Sequence, residues 1–194
     1  EAVAHLPRGL TSLLLYNGHL DPALLHLPLT SLTLTSTPPE SELTAFLKPC
    51  KMLRRLVTNR LTTSSLKCLP PSLTELETSS CLDTEEFDLL PPEMRTLQVN
   101  MYNATAAPIT RASLALFPRS LTALHLAMRT INNPLFFHGV PPNLKTLILG
   151  RLSNLQPEML APLYTSKLIR LELELSSEHK SCRPFLHHLP HKLI

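Results

Sequence analysis

The sequence has no tryptophan, only six phenylalanines and three tyrosines, four glycines and four cysteines in 194 residues. Each scarcity excludes something. So few rings argue against carbohydrate binding by aromatic stacking. The glycines, Gly9, Gly18, Gly139 and Gly150, are scattered and leave no Gly-rich phosphate loop. Cys50, Cys68, Cys81 and Cys182 form no CxxC pair and no terminal cluster, a usage that points toward a reducing, intracellular compartment. A lone sequon, Asn103-Ala104-Thr105, keeps a secreted origin open, although a three-residue match arises easily by chance. No run approaches the ~18 apolar residues of a membrane-spanning helix, so no membrane insertion is expected. There is no initiator methionine and no signal-peptide layout.

Charge is nearly balanced. Eighteen Lys and Arg face fifteen Asp and Glu, for a net charge of +3. Nucleic-acid binders show a concentrated basic face, so no nucleic-acid partner is expected. The densest cluster, Lys51, Arg54, Arg55 and Arg60, is interrupted by Met52, Leu53, Leu56 and Val57 and reads as a solvated surface. Catalytic patterns are missing too. There is no GxSxG elbow. Cys182, His187, His188 and His191 have the spacing C-x4-HH-x2-H, which is not a zinc pattern, and Pro190 would break a helix carrying both His188 and His191. No enzyme activity, metal or cofactor is expected.

What the chain does have is a phrase that recurs. It stands as LPRGLTSLLL at Leu6–Leu15, LPPSLTELET at Leu69–Thr78, LPPEMRTLQV at Leu90–Val99, FPRSLTALHL at Phe117–Leu126 and VPPNLKTLIL at Val140–Leu149. Looser copies are PLTSLTL at Pro28–Leu34, MLRRLVT at Met52–Thr58, KLIRLEL at Lys167–Leu173 and LPHKLI at Leu189–Ile194. The first anchors, Leu10, Leu29, Leu53, Leu73, Met94, Leu121, Leu144, Leu168 and Leu193, are spaced by 19 to 27 residues. That interval of about 23 residues lies within the period of leucine-rich repeats.

LxxLxL reads as a short strand whose alternate side chains point to opposite faces. Leu13 and Leu15, Leu32 and Leu34, Leu76 and Thr78, Leu97 and Val99, Leu124 and Leu126, Leu147 and Leu149, and Leu171 and Leu173 then point inward. Each strand pairs in parallel with the next copy, about 4.8 Å away. Proline pairs such as Pro70-Pro71, Pro91-Pro92 and Pro141-Pro142 fall just before a strand, where they stop a helix and lack the N–H a central strand needs. Between strands, Glu40–Lys48, Thr84–Leu90, Ile109–Phe117 and Gln156–Tyr164 have helix-like periodicity. Asp83-Thr84 before Glu85-Glu86 suits a helix start. The short Leu10–Leu29 repeat has room only for a turn or a 3₁₀ piece.

Along nearly its full length the chain resembles leucine-rich-repeat proteins. The phrase LPxxLxxLxL is similar to FNIP-type repeats, with FPRSLTALHL, Asn132-Asn133-Pro134-Leu135 and Gly139-Val140-Pro141 the nearest stretch, and to IpaH-type repeats. The FNIP tetrapeptide itself is absent, and the spacing drifts where IpaH-type repeats are uniform. The expected fold is α/β: a leucine-rich-repeat solenoid, a curved horseshoe with parallel strands on the concave face and short helices, 3₁₀ pieces and loops on the convex face. Residues 1–194 form one array of about eight to nine repeats, expected to be a fragment of a longer protein because neither end reads as a cap. Cys81, eight residues after Leu73, matches a place where the family has an inward Asn or Cys, which implies a buried thiol.

The resemblance implies a non-catalytic module that binds a protein partner through its concave strand face. Outward positions two, four and six residues after each anchor supply the candidate contacts: Leu14, Tyr16, Arg55, Val57, Asn59, Glu75, Glu77, Gln98, Asn100, His125, Ile148, Arg170 and Glu172. Leu14, Tyr16, Val57 and Ile148 are the apolar anchors. Glu75 with Glu77, and Glu172 with Glu174, form two acidic spots beside Arg55 and Arg170. Two other readings fit the same repeats: the substrate-recognition part of a larger enzyme such as a ubiquitin ligase, and a structural subunit of a large assembly that uses the long Met101–Ser120 insertion as a contact.

Overall fold

The structure, a computed structural model, describes residues 6–16, 19–80, 82, 84–100, 114–127, 135–152 and 155–175. Eight strands form one open parallel sheet in strict chain order. They are β1 (Ser12–Leu15), β2 (Ser31–Leu34), β3 (Arg55–Thr58), β4 (Glu75–Thr78), β5 (Thr96–Asn100), β6 (Ala123–Ala127), β7 (Thr146–Leu152) and β8 (Arg170–Leu175). Registers align the repeat phrases position by position, so that Leu32 faces Leu56, Leu56 faces Leu76, and Leu76 faces Leu97.

Two local devices place the strands, the first in six of the eight described repeats and absent before β2 and β8. The first is the proline turn. The anchor N–H donates to the carbonyl of the proline three residues earlier: Leu10 to Pro7 at 3.0 Å, Leu73 to Pro70 at 3.0 Å, Met94 to Pro91 at 3.1 Å, Leu121 to Pro118 at 3.1 Å and Leu144 to Pro141 at 3.1 Å. In the doubled prolines the second residue occupies the second position of the turn, where a fixed φ near −65° is already correct. The first of each pair, Pro70, Pro91 and Pro141, is buried, and the second is exposed. In the looser third copy Cys50 replaces the proline and its carbonyl accepts from Leu53 at 3.2 Å.

The second device is a staircase of shared carbonyls one residue after each anchor. The Thr11 carbonyl accepts from the Thr30 and Ser31 N–H groups at 2.8 and 3.0 Å, and the Arg54 carbonyl accepts from Thr74 and Glu75 at 2.8 and 2.9 Å. The same pattern runs through Thr30, Thr74, Arg95, Thr122 and Lys145. Threonine hydroxyls reinforce it: Thr30, Thr74 and Thr122 donate to the carbonyls of Thr11, Arg54 and Arg95 at 3.2, 3.2 and 3.1 Å.

Behind the sheet the anchors and inward strand residues fuse into one apolar core, with Leu32, Leu53, Leu56, Leu73, Met94, Leu97, Leu121 and Leu149 essentially inaccessible. The inward residues of β1 and β8 (Leu13, Leu15, Leu171 and Leu173) are only half-buried. In a stacked array a side chain is covered only by its two neighbours, and among the described strands these two have one neighbour each.

The return segments differ in kind. α1 (Glu40–Leu47) is an eight-residue helix that buries Leu43, Phe46 and Leu47. α2 (Thr63–Leu66) is a single turn closed by a capping box, in which Ser65 N–H donates to Thr62 Oγ1 and Thr62 N–H donates to Ser65 Oγ. Pro22–His26, Thr84–Leu89, Phe136–Gly139 and Pro157–Thr165 are 3₁₀, and the described part of the return before β6 is α-helical at Leu114 and Ala115. Helical periodicity over Thr84–Leu90 and Gln156–Tyr164 therefore marks 3₁₀ helices instead of α-helices. In the second case Pro162 lies inside the segment and supplies no N–H. Scarce aromatics fill this layer: Phe87 and Phe117 pack with ring centroids 4.4 Å apart, and Phe136 meets Phe137 edge-on at 5.1 Å. Cys81, Asp83, the Asn103 sequon, most of Ile109–Phe117 and Met101–Ser120, the Asn132–Leu135 stretch up to Pro134, the Cys182–His191 cluster and the ninth copy lie outside the described residues.

Nearest-neighbour burial sets the cost of truncation. Leu97→Ala in β5, flanked on both sides, is expected to lower stability by about 2–5 kcal/mol, and Leu13→Ala in β1 by less than half as much. Urea unfolding followed by circular dichroism measures both; equal losses would contradict this account of the core.

Candidate protein-binding face

The outward positions form ordered columns. The first joins Ser12, Ser31, Arg55, Glu75, Thr96, Ala123, Thr146 and Arg170 in unbroken register. The second joins Leu14, Thr33, Val57, Glu77, Gln98, His125, Ile148 and Glu172. Asn100, Ala127 and Gly150 are paired in the third, and the column then breaks. Between the pairs Leu149–Leu173 and Leu152–Leu175, two residues of β7 oppose the single Glu174 of β8, a β-bulge. The Glu174 carboxylate lies over Gly150, 3.3 Å from where a Cβ would stand.

The centre of the face is a charge network. Arg55 reaches across to β4, with Nε 3.7 Å from Glu75 Oε2 and a terminal nitrogen 4.0 Å from Glu77 Oε2. Gln98 Nε2 donates to Glu77 Oε1 at 3.3 Å. The Glu75–Glu77 spot is thus partly neutralised from the neighbouring strand. At the other end Arg170 and Glu172 pair within β8, Nε to Oε1 at 2.7 Å. Asn59 is engaged by the backbone: its Nδ2 donates to the Thr35 carbonyl at 2.6 Å, which ties the ends of β2 and β3.

The apolar candidates do not make one patch. Leu14 is 46% and Tyr16 72% exposed, together at the end of β1. Val57 and Ile148 are half-buried, and Glu77, Gln98 and His125 stand between them in the column. At four strand steps they are about 19 Å apart. Asn100 is half-buried at the end of β5. Sequence reasoning passed over Met52 and Ile169, 59% and 58% exposed, because they flank anchors in the looser copies.

On the helix side, a cleft of about 360 Å³ between the first two return segments is lined by His19, Leu20, Leu25, Glu42 and Phe46, among others. Glu42 closes its polar side, accepting from the Leu20 N–H at 3.1 Å and facing His19 Nδ1 at 3.0 Å. Next to it, Thr62 Oγ1 donates to Glu40 Oε1 at 2.6 Å. That bond and then the Ser64 hydroxyl hold the Glu40 carboxyl below its ordinary value against an opposing desolvation, with nearby Arg60 adding least. Among the described residues no three His, Cys, Asp or Glu side chains gather to hold a metal ion, and no helix is long and apolar enough to cross a membrane.

No family model matches the chain, and no curated protein matches it. Solved structures do. The leucine-rich repeat-containing protein LegL7 from Legionella pneumophila superposes with a TM-score of 0.62 at 20% identity, over 91% of this chain and 69% of that one. The chain has the leucine-rich-repeat fold. The TLR13–ssRNA13 complex aligns at a TM-score of 0.47 and 19% identity, over 90% of this chain and 34% of that one. In a leucine-rich-repeat solenoid the columns above line the concave face and the helical segments the convex one.

Two outcomes follow from the local chemistry. Burial pushes the Cys50 thiol up from 9.0 to about 11. It therefore stays protonated at neutral pH, and iodoacetamide followed by peptide mass spectrometry should find it slow to label below about pH 10. The sign of the linkage is fixed: thiolate is disfavoured in the fold, so stability contributed by this group falls as pH rises from 9.0 toward 11. The Arg55–Glu75 pair is half exposed on both sides. A double-mutant cycle with alanine should give a coupling of about 0–1 kcal/mol, so charge changes there can test binding without unfolding the protein.

Proposed function

We propose that this leucine-rich-repeat chain is a non-catalytic module that holds a protein partner on its concave strand face. The observation that carries the reading is the composition of the face. Eight in-register strands present an exposed apolar end at Leu14 and Tyr16 beside a hydrogen-bonded polar centre at Arg55, Glu75, Glu77 and Gln98. Apolar anchor with polar surround is the anatomy of a protein-binding patch. Seven strand steps give a length of about 34 Å. Strands of four to seven residues, at about 3.3 Å per residue, make it about 13–23 Å wide, a large part of the roughly 800 Å² per partner of a stable complex. His125, Ile148, Arg170 and Glu172 complete the face toward β8, with Val57, Asn59 and Asn100 in its middle.

Partner capture from the native source, read by mass spectrometry, tests this with three proteins side by side. They are wild type, Leu14→Ala/Tyr16→Ala, and Glu75→Arg/Glu77→Arg. A partner retained by wild type should lose about 30-fold in affinity on truncation of the apolar pair, as for a hot spot of about 2 kcal/mol. It should also weaken on charge reversal. Equal recovery of the same protein by all three would remove the contact from the strand face.

A further inference from the structure

In register on their anchors, the repeats share a feature that no single copy shows. Positions from two before to one after the anchor form the leading rim of the solenoid, the end of the turn plus the residue just before each strand. Among the eight described repeats that rim holds Arg8, Lys51, Arg54, Arg95, Arg119, Lys145 and Lys167, all exposed, against Glu93 alone. A net charge of +3 conceals this because the carboxylates lie elsewhere: Glu75, Glu77, Glu172 and Glu174 on the strand face, and Asp21, Glu40, Glu42, Asp88 and Glu158 on the helix side.

Three of the cations occupy one register position. Arg54, Arg95 and Lys145 all stand one residue after their anchors, separated by Thr74 and Thr122 in the shared-carbonyl staircase. The threonine hydroxyls bond back to the carbonyls of Arg54 and Arg95. They hold the ladder and leave the cations as the projecting groups. Equivalent positions of an in-register parallel ladder project alike, so the three form a straight row at every second strand, about 9.6 Å apart. None of the three has a carboxylate within 4.0 Å among the described residues, whereas Arg55 and Arg170 are paired. Met52, beside Arg54, and Ile169, one step beyond Lys145, bracket the row with exposed apolar side chains.

We propose that this rim docks an extended acidic segment of a protein partner. The spacing selects its form. A polyproline II segment repeats every three residues with a rise near 3.1 Å each, which puts every third side chain on one face about 9.3 Å apart. Carboxylates at that interval meet Arg54, Arg95 and Lys145 in turn, and flanking apolar residues meet Met52 and Ile169. A single-stranded nucleic acid fits less well, since none of the rim positions holds an aromatic on which bases could stack. The inference rests on the reading of the chain as a protein-binding module but uses a different surface from the strand columns.

The probe is a fluorescein-labelled peptide of five Glu-Pro-Pro triplets, with a block peptide of the same composition and an oligouridylate of equal charge as comparisons, each followed by fluorescence anisotropy at 50 and 300 mM salt. Expected is binding of the triplet peptide that weakens with salt, that drops at least tenfold in Arg54→Glu/Arg95→Glu/Lys145→Glu, and that tightens at least threefold in Glu93→Lys, which removes the one carboxylate of the rim. The second variant keeps the test decisive should the first fail to fold by circular dichroism. Equal binding to wild type and either variant overturns the proposal, as does tighter binding of the oligouridylate. Equal affinity for the block peptide overturns the spacing. Leu14→Ala/Tyr16→Ala should bind the triplet peptide as wild type does, so loss of the strand-face reading and loss of this one give different results.

Discussion

Everything in this molecule depends on each repeat being unable to bury its own leucines. A four-residue strand and a short return segment expose an apolar flank above and another below, and only the next copy covers them. The requirement is met in register, with each inward residue stacked on its counterpart, and it explains the gradient from inaccessible leucines in the middle to half-buried ones in β1 and β8. It also explains the tolerance of uneven repeat length. Whatever happens between strands, the shared carbonyl, joined by the turn in most of the described repeats, restores the phase before the next strand begins.

The same division of labour frees the outward positions. Core and ladder use the anchor, the inward strand residues and the backbone of the residue after the anchor. Side chains two and four residues on lie outside that core, so they vary from Ser12 to Arg55 to Ala123 in one column while the register stays unbroken. Where an outward side chain is tied down, as Asn59 is by the Thr35 carbonyl, the reason is local hydrogen bonding and not the core. A fold built this way specifies its shape and its surface with separate residues.

That separation is also why the strands were legible in the sequence and the surface less so. LxxLxL carries the period-two signal and the copies repeat it, so the inward sets and the outward columns follow from the text alone. Three things did not follow. The kind of helix on the convex side depends on length and on single residues such as Pro162, which periodicity does not weigh. The bulge opposite Glu174 depends on one extra residue in β7, and nothing in the phrase marks it. The pairing of Arg55 with both Glu75 and Glu77 depends on neighbouring copies meeting across the ladder, so a cluster that looks acidic along the chain is partly balanced in space. The proline pairs were legible as helix stops, but their role as preset turns for the anchor N–H needed the structure.

The prolines that sharpen these turns have a consequence in time as well as in space. An unfolded chain with 19 prolines distributes each preceding peptide bond between two isomers, with roughly 10–30% cis at each. Few unfolded molecules then hold every bond in its native state at once. Interconversion takes tens of seconds, far longer than strand or turn formation. The rigidity that makes each repeat easy to close in the native solenoid therefore makes the ensemble slow to recover once lost, and a prolyl isomerase matters more to this chain than its plain architecture suggests.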